Sequence, residues 1–219
     1  MSVDSLSVQQ TVARHLLAVQ AVRLRPSEPF TWSSGWKSPI YCDNRVTLAH
    51  PEVRSFIKNA LADAIQQQFP SVEVIAGVAT AGIPQGALVA DALSLPYCYV
   101  RPEPKAHGMG KQIEGHLAVD GPTGRQRVVV IEDLISTGGS SLKVVDALRA
   151  AGAEVVGMAA IFTYGFPLAD QNFAAKNVPL VCLSNYDTLL TEAQTLNYIP
   201  AEALDSLAAW RQNPSEWGK

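Results

Sequence analysis

Cysteine is scarce in this 219-residue chain: Cys42, Cys98 and Cys182 are odd in number, scattered and in no metal-ligand spacing. That argues against a disulfide-stapled scaffold and a zinc motif, and leads us to expect reduced thiols in a cytoplasmic protein. No apolar run reaches membrane-spanning length, and the opening MSVDSLSVQQ lacks the basic and apolar stretches of a signal sequence, so no membrane partner is expected. Positive charge is in short supply too, with 17 Lys and Arg against 20 Asp and Glu and a net charge of −3. Such a balance gives no basic footprint for nucleic acid, and none is expected as a partner. Neither the GK[ST] of a Walker loop nor the GxGxxG of a dinucleotide fingerprint occurs. Repeats and low-complexity tracts are also missing.

What remains is the composition of an ordinary soluble enzyme, 47% hydrophobic and 17% charged, at a length that suits one α/β domain with a modest appendage. Residues 1–219 are read as that single domain. Val8, Val12, Leu16 and Val19 recur at helical spacing and predict a helix from residue 7 to about 24, closed by Pro26, with His15 on its surface. Residues 29–45, PFTWSSGWKSPIYCDNR, are rich in aromatics, Ser and Gly and predict two short strands around a Ser34–Gly35 turn. Residues 51–69 give the clearest helical stripe, with Pro51 at a plausible first position. Beyond Pro70 strands and helices alternate, which predicts a parallel sheet covered on both faces, with ligands gathered at the carboxyl ends of its strands.

One stretch organises the rest. Residues 128–131, VVVI, have the continuous hydrophobicity of a strand buried on both faces. Glu132 and Asp133 follow at its carboxyl end, then Leu134 and Ile135, then the turn Ser136, Thr137, Gly138, Gly139 and Ser140. A helical pattern carrying Leu142, Val145 and Leu148 on one face comes next. A strand running into a Gly/Ser/Thr turn at a helix N-terminus builds an anion site, because the turn's N–H groups are unpaired and carry the positive end of the helix dipole. Carboxylates beside a phosphate turn must face something else, such as sugar hydroxyls or bound Mg²⁺. A phosphorylated ribose offers a 5-phosphate for the turn and vicinal hydroxyls for the acids. The same residues also fit a tight βα turn with two solvated carboxylates.

Three more stretches could carry chemistry. Residues 77–84, GVATAGIP, put small side chains and Thr80 at a strand end, as a pyrophosphate turn or a plain tight turn would. Residues 99–115, YVRPEPKAHGMGKQIEG, hold Arg101, Lys105, His107 and Lys111 among prolines and glycines, fitting either a solvated loop or cations that close over a departing anion. Trp32, Trp36 and Tyr41 cluster within residues 30–45 and suit either a flat-ring pocket or a small apolar lid.

The string VVVIEDLISTGGSS resembles the phosphoribosyl pyrophosphate (PRPP) motif of type I phosphoribosyltransferases, and is most similar to that of the orotate phosphoribosyltransferases. Residues 101–115 fit the RxxxKxHGxGxQIEG frame of their mobile catalytic loop, and residues 30–43 fit the hood frame FTxxSGxKSPxYxD. The resemblance runs from about residue 30 to 164. It implies a parallel sheet flanked by helices, a small N-terminal hood at about residues 1–50 and a mobile loop at about 101–115. The implied reaction joins orotate and PRPP with Mg²⁺ to give orotidine 5′-monophosphate and pyrophosphate, in a homodimer whose loop reaches the neighbouring subunit's site. Carried over residue by residue, Arg101, Lys105 and His107 meet PRPP and are catalytic together with Asp133. Glu132 and Asp133 hold the ribose, Leu134 to Ser140 and Thr80 complete the PRPP site, and Ser136 and Tyr41 meet orotate. No side chain is assigned to the metal itself.

The chain departs from its relatives at four places. Ala81 and Ser33 stand where some members carry lysines, and Pro102 replaces a second loop lysine. No arginine occurs between Arg149 and Arg211, near the strand end where many relatives hold the orotate carboxylate. Another purine or pyrimidine base is one competing reading, against which the hood and loop frames speak. The other is a PRPP-sensing regulator, which would need a DNA-binding helix pair or a basic face.

Overall fold

A computed structural model describes residues 6–32, 35–103, 112–117 and 125–218. The chain opens with α1 (Val8–Ala18), β1 (Val22–Leu24), β2 (Phe30–Thr31), β3 (Lys37–Ser38) and β4 (Ile40–Cys42). A capping box starts α1: Ser7 Oγ accepts from the Gln10 N–H at 3.3 Å and Gln10 Oε1 accepts from the Ser7 N–H at 3.1 Å. The helix stops well short of the expected residue 24. Gln20 takes φ +57°, and the chain leaves as β1 to pair antiparallel with β4, Val22 opposite Cys42. The expected hairpin is present, with Phe30 opposite Ser38 and Thr31 opposite Lys37. After a 3-10 helix at Asn44–Ala49 comes α2 (Pro51–Gln68), which begins at Pro51 as its sequence indicates.

The alternating part follows as β5 (Val74–Val78), α3 (Gly82–Leu93), β6 (Tyr97–Val100), β7 (Ile113–Gly115), β8 (Arg127–Ile135), α4 (Gly139–Ala150), β9 (Glu154–Thr163), α5 (Pro167–Ala175) and β10 (Leu180–Asn185). The sheet order is β10-β9-β8-β5-β6-β7, with β6, β5, β8 and β9 mutually parallel. Residues 128–131 of β8 are fully buried, as a strand covered on both faces must be. The edge strand β7 runs antiparallel to β6 and was not expected, since residues 101–115 read as loop throughout. Gly152, at φ +93°, ends α4 as its position predicts. The chain closes with α6 (Tyr186–Thr195) and α7 (Ala203–Gln212). Among the described residues no helix is long and apolar enough to cross a membrane.

Two compact units result, Met1–Arg54 with Ser184–Lys219, and Ser55–Leu183. In the first, Glu192 of α6 is 1% exposed and accepts from Gln10 Nε2 at 2.9 Å and from Arg14 Nε, both on α1. Trp210 of α7 is fully buried, with Trp32 edge-on at 5.7 Å and Tyr186 at 5.4 Å. The hood thus draws its core from both ends of the chain, whereas the sequence reading built it from residues 1–50 alone.

Candidate active site

Because β6, β5 and β8 are adjacent and parallel, their carboxyl ends emerge side by side. Arg101 follows β6, Thr80 follows β5, and the acid pair with its turn ends β8. The sequence placed Glu132 and Asp133 after the strand. Pairing with β9 instead continues through Leu134 opposite Phe162 and Ile135 opposite Thr163, so both acids lie inside β8.

The two carboxylates differ sharply. Glu132 is buried, and each of its oxygens is engaged: Oε2 accepts from Ser141 Oγ at 2.8 Å and Oε1 from the Asp133 N–H at 3.0 Å. Burial, reinforced by the Asp133 charge, pushes its pKa above the ordinary carboxylate value, against the pull of those hydrogen bonds. Asp133 is half-buried beside it. Both line a cavity of about 210 Å³ together with Leu134, Ser136, Thr137, Gly138, Gly139, Ser140 and Ser141.

The turn opposes these acids with backbone dipoles. Gly138 caps α4 at φ +79° with no side-chain hydrogen bond to the cap, so the helix keeps the positive end of its dipole for an anion. Ile135 is buried beneath, its carbonyl accepting from the Tyr164 N–H at 3.1 Å and from Thr163 Oγ1 at 3.2 Å. Thr163 Oγ1 also accepts from the Gly165 N–H at 3.0 Å. The segment where relatives place an arginine is used here to fasten the end of β8.

After β5 the Ala79–Thr80 peptide is cis, and Thr80 is exposed at the mouth of α3. The glycines nearby meet the protein itself. A Cβ on Gly82 would collide with the Ile131 carbonyl, and one on Gly77 would lie 2.6 Å from the Tyr97 hydroxyl. Their smallness lets α3 approach the sheet, which is the tight-turn use that the sequence left open beside a pyrophosphate turn.

At the stem of the 101–115 loop, Arg101 donates its backbone N–H to Gln112 O at 3.0 Å and its Nε lies 3.5 Å from Glu114 Oε1. Lys105 and His107, like Lys111, lie outside the described residues.

Tyr41 belongs to the hood unit, half-buried on β4 with the Phe30 ring 5.5 Å away. The Arg23 guanidinium sits over both rings, 5.1 Å from Tyr41 and 5.6 Å from Phe30, and Arg25 lies 5.4 Å from Phe30. The clustered aromatics therefore divide: Trp32 packs inward on Trp210, while Tyr41 forms a ring face under cations. Sequence reasoning gave Arg23 and Arg25 no role because it ran the first helix to about residue 24. The strand signal was the alternation of these arginines with Val22 and Leu24.

Comparison with known proteins agrees with this geometry. The profile of the phosphoribosyl transferase domain family matches residues 47–184. Over 214 residues, 98% of this chain and the whole of the relative, the sequence is 54% identical to the orotate phosphoribosyltransferase of Cytophaga hutchinsonii. It is 55% identical over the same shares to that of Listeria monocytogenes. The solved orotate phosphoribosyltransferase from Aeropyrum pernix superposes with a TM-score of 0.72 at 33% identity, covering 86% of this chain and 99% of that one.

Proposed function

The chain belongs to the orotate phosphoribosyltransferase family, and from that premise we propose that it transfers the 5-phosphoribosyl group of PRPP to orotate, giving orotidine 5′-monophosphate and pyrophosphate in pyrimidine biosynthesis. The observation that carries the reading is the cavity at the end of β8, lined both by two carboxylates and by a helix N-terminus without a side-chain cap. Few ligands besides a phosphorylated sugar ask for both.

In this reading Ser136 to Ser140 anchor the 5-phosphate, with Leu134 and Ile135 shaping the strand end beneath. Asp133 faces the ribose hydroxyls, and its charge favours the oxocarbenium character that develops as the C1–oxygen bond to pyrophosphate breaks. Glu132, buried with both oxygens engaged, backs it. Orotate N1 is readily deprotonated, so positioning by Ser136 and Tyr41 carries the attack on C1 and no strong base is required. Arg101, Lys105 and His107 would neutralise the departing pyrophosphate, Thr80 would offer it a hydroxyl, and a closed loop would exclude the water that otherwise hydrolyses PRPP. The dimer in which this loop serves the neighbouring site, and the cytoplasmic location, belong to the same proposal.

The donor set suits a metal carried largely by the substrate. Among the described residues no group of three or more His, Cys, Asp or Glu could cage an ion, while Asp133 supplies a carboxylate on the cavity wall. Mg²⁺ is ordinarily held by one or two carboxylates plus substrate phosphates. Bound there, it would offset the pyrophosphate charge.

The test is loss of orotate absorbance on adding PRPP and Mg²⁺ to the purified protein, with uracil, adenine and hypoxanthine assayed in parallel by product. Turnover confined to orotate, and abolished by a chelator, is expected. Turnover of another base, or none at all, would overturn the assignment.

A further inference from the structure

We propose that α5 splints the phosphate turn, and that Asn172 and Phe173 are positioning residues for the 5-phosphate of the sugar donor. The inference rests on the reading that this turn holds that phosphate. Asn172 Nδ2 donates to the Thr137 carbonyl at 2.9 Å. In a trans peptide the carbonyl and the following N–H point opposite ways, so tying the Thr137 oxygen to α5 turns the Gly138 N–H away from that helix. The next residue along α5 acts on the next residue of the turn. Phe173 is 4% exposed, and its ring lies so close to Gly138 that a Cβ there would come within 2.5 Å of it. Gly138 holds φ +79° with this ring against it.

The splint is itself held. Arg149 of α4 donates from Nη1 to Lys176 O at 2.8 Å and from Nη2 to Asn177 O at 3.3 Å, just past the end of α5. Thus α5 is fastened to the far end of α4 as well as to the turn from which α4 starts. Thr137 and Gly138 line the cavity, but neither Asn172 nor Phe173 does, so both act through the turn.

The experiment compares the full-length protein with Asn172→Asp, which keeps the shape but removes the donor, and with Phe173→Leu, which loosens the packing. Calorimetry measures ribose 5-phosphate and pyrophosphate binding, and steady-state kinetics separate KM for PRPP from kcat. Loss of one hydrogen bond should weaken ribose 5-phosphate and raise KM for PRPP roughly fivefold to tenfold in Asn172→Asp. Phe173→Leu should produce a smaller change in the same direction. Pyrophosphate affinity and kcat at saturating PRPP should stay within about twofold, because a splint on this turn acts on the 5-phosphate alone. Unchanged ribose 5-phosphate affinity in both variants would overturn the proposal, as would equal weakening of ribose 5-phosphate and pyrophosphate. Selective weakening of ribose 5-phosphate in a protein that never turns over orotate would uphold the splint and overturn the enzyme assignment.

Discussion

Glu132 and Asp133 are neighbours in the chain with opposite surroundings. Folding moves Glu132 out of water and next to another carboxylate, which favours its protonated form. Above the ordinary value of 4.5 the unfolded chain has released this proton while the folded protein still holds it. The contribution of Glu132 to stability is therefore complete below that value and is lost as pH rises through the elevated pKa of the folded state. Glu132→Gln keeps the shape and removes the titration. Urea unfolding at about pH 5 and about pH 8 should show a smaller loss of stability in the variant than in the parent. Equal losses would mean that Glu132 stays ionised in the fold. The acid pair was legible in the sequence as a pair. Its division into a buried member and a half-buried one was not, because that depends on Ser141 coming back over the strand from the first turn of α4.

The turn between β8 and α4 couples backbone geometry to packing at Gly138. An alanine there would carry a Cβ at φ +79° and drive it into the Phe173 ring. Left-handed backbone alone costs roughly 1–2 kcal/mol for such a residue, and the collision adds to it. Gly138→Ala should lower the thermal midpoint by several degrees, and weaken ribose 5-phosphate as well. A variant as stable as the parent would show that the turn can relax. What the sequence revealed here follows from local physics: a continuous apolar run, a Gly/Ser/Thr turn and a helical stripe each declare themselves within a dozen residues. The misses are non-local. The strand β1 looks like a helix end until β4 is present to pair with it, and β7 exists through its backbone pairing with β6. Trp32 left a flat-ring pocket and an apolar lid both open in the sequence because Trp210, its partner, stands far along the chain.

If the 101–115 loop serves the neighbouring site, two crippled chains should repair one another. Lys105→Ala and Asp133→Asn are each expected to be inactive alone. Mixed and allowed to exchange subunits, they should regain about a quarter of the parent activity, since half of the pairs are mixed and one site in each mixed pair is intact. No recovery, with exchange demonstrated, would place each loop over its own site. The discontinuous make-up of the hood unit has a consequence in time. Residues 1–54 are made before Ser55–Leu183, yet Glu192 and Trp210, which receive Arg14 and Trp32, are made only after the whole of that segment. At cellular rates of synthesis that delay is on the order of ten seconds. Throughout it the apolar face of α1 has no completed partner, while the contiguous second unit emerges in one piece. The nascent chain thus carries an unfinished hydrophobic surface ahead of its second unit, the kind that chaperones shield.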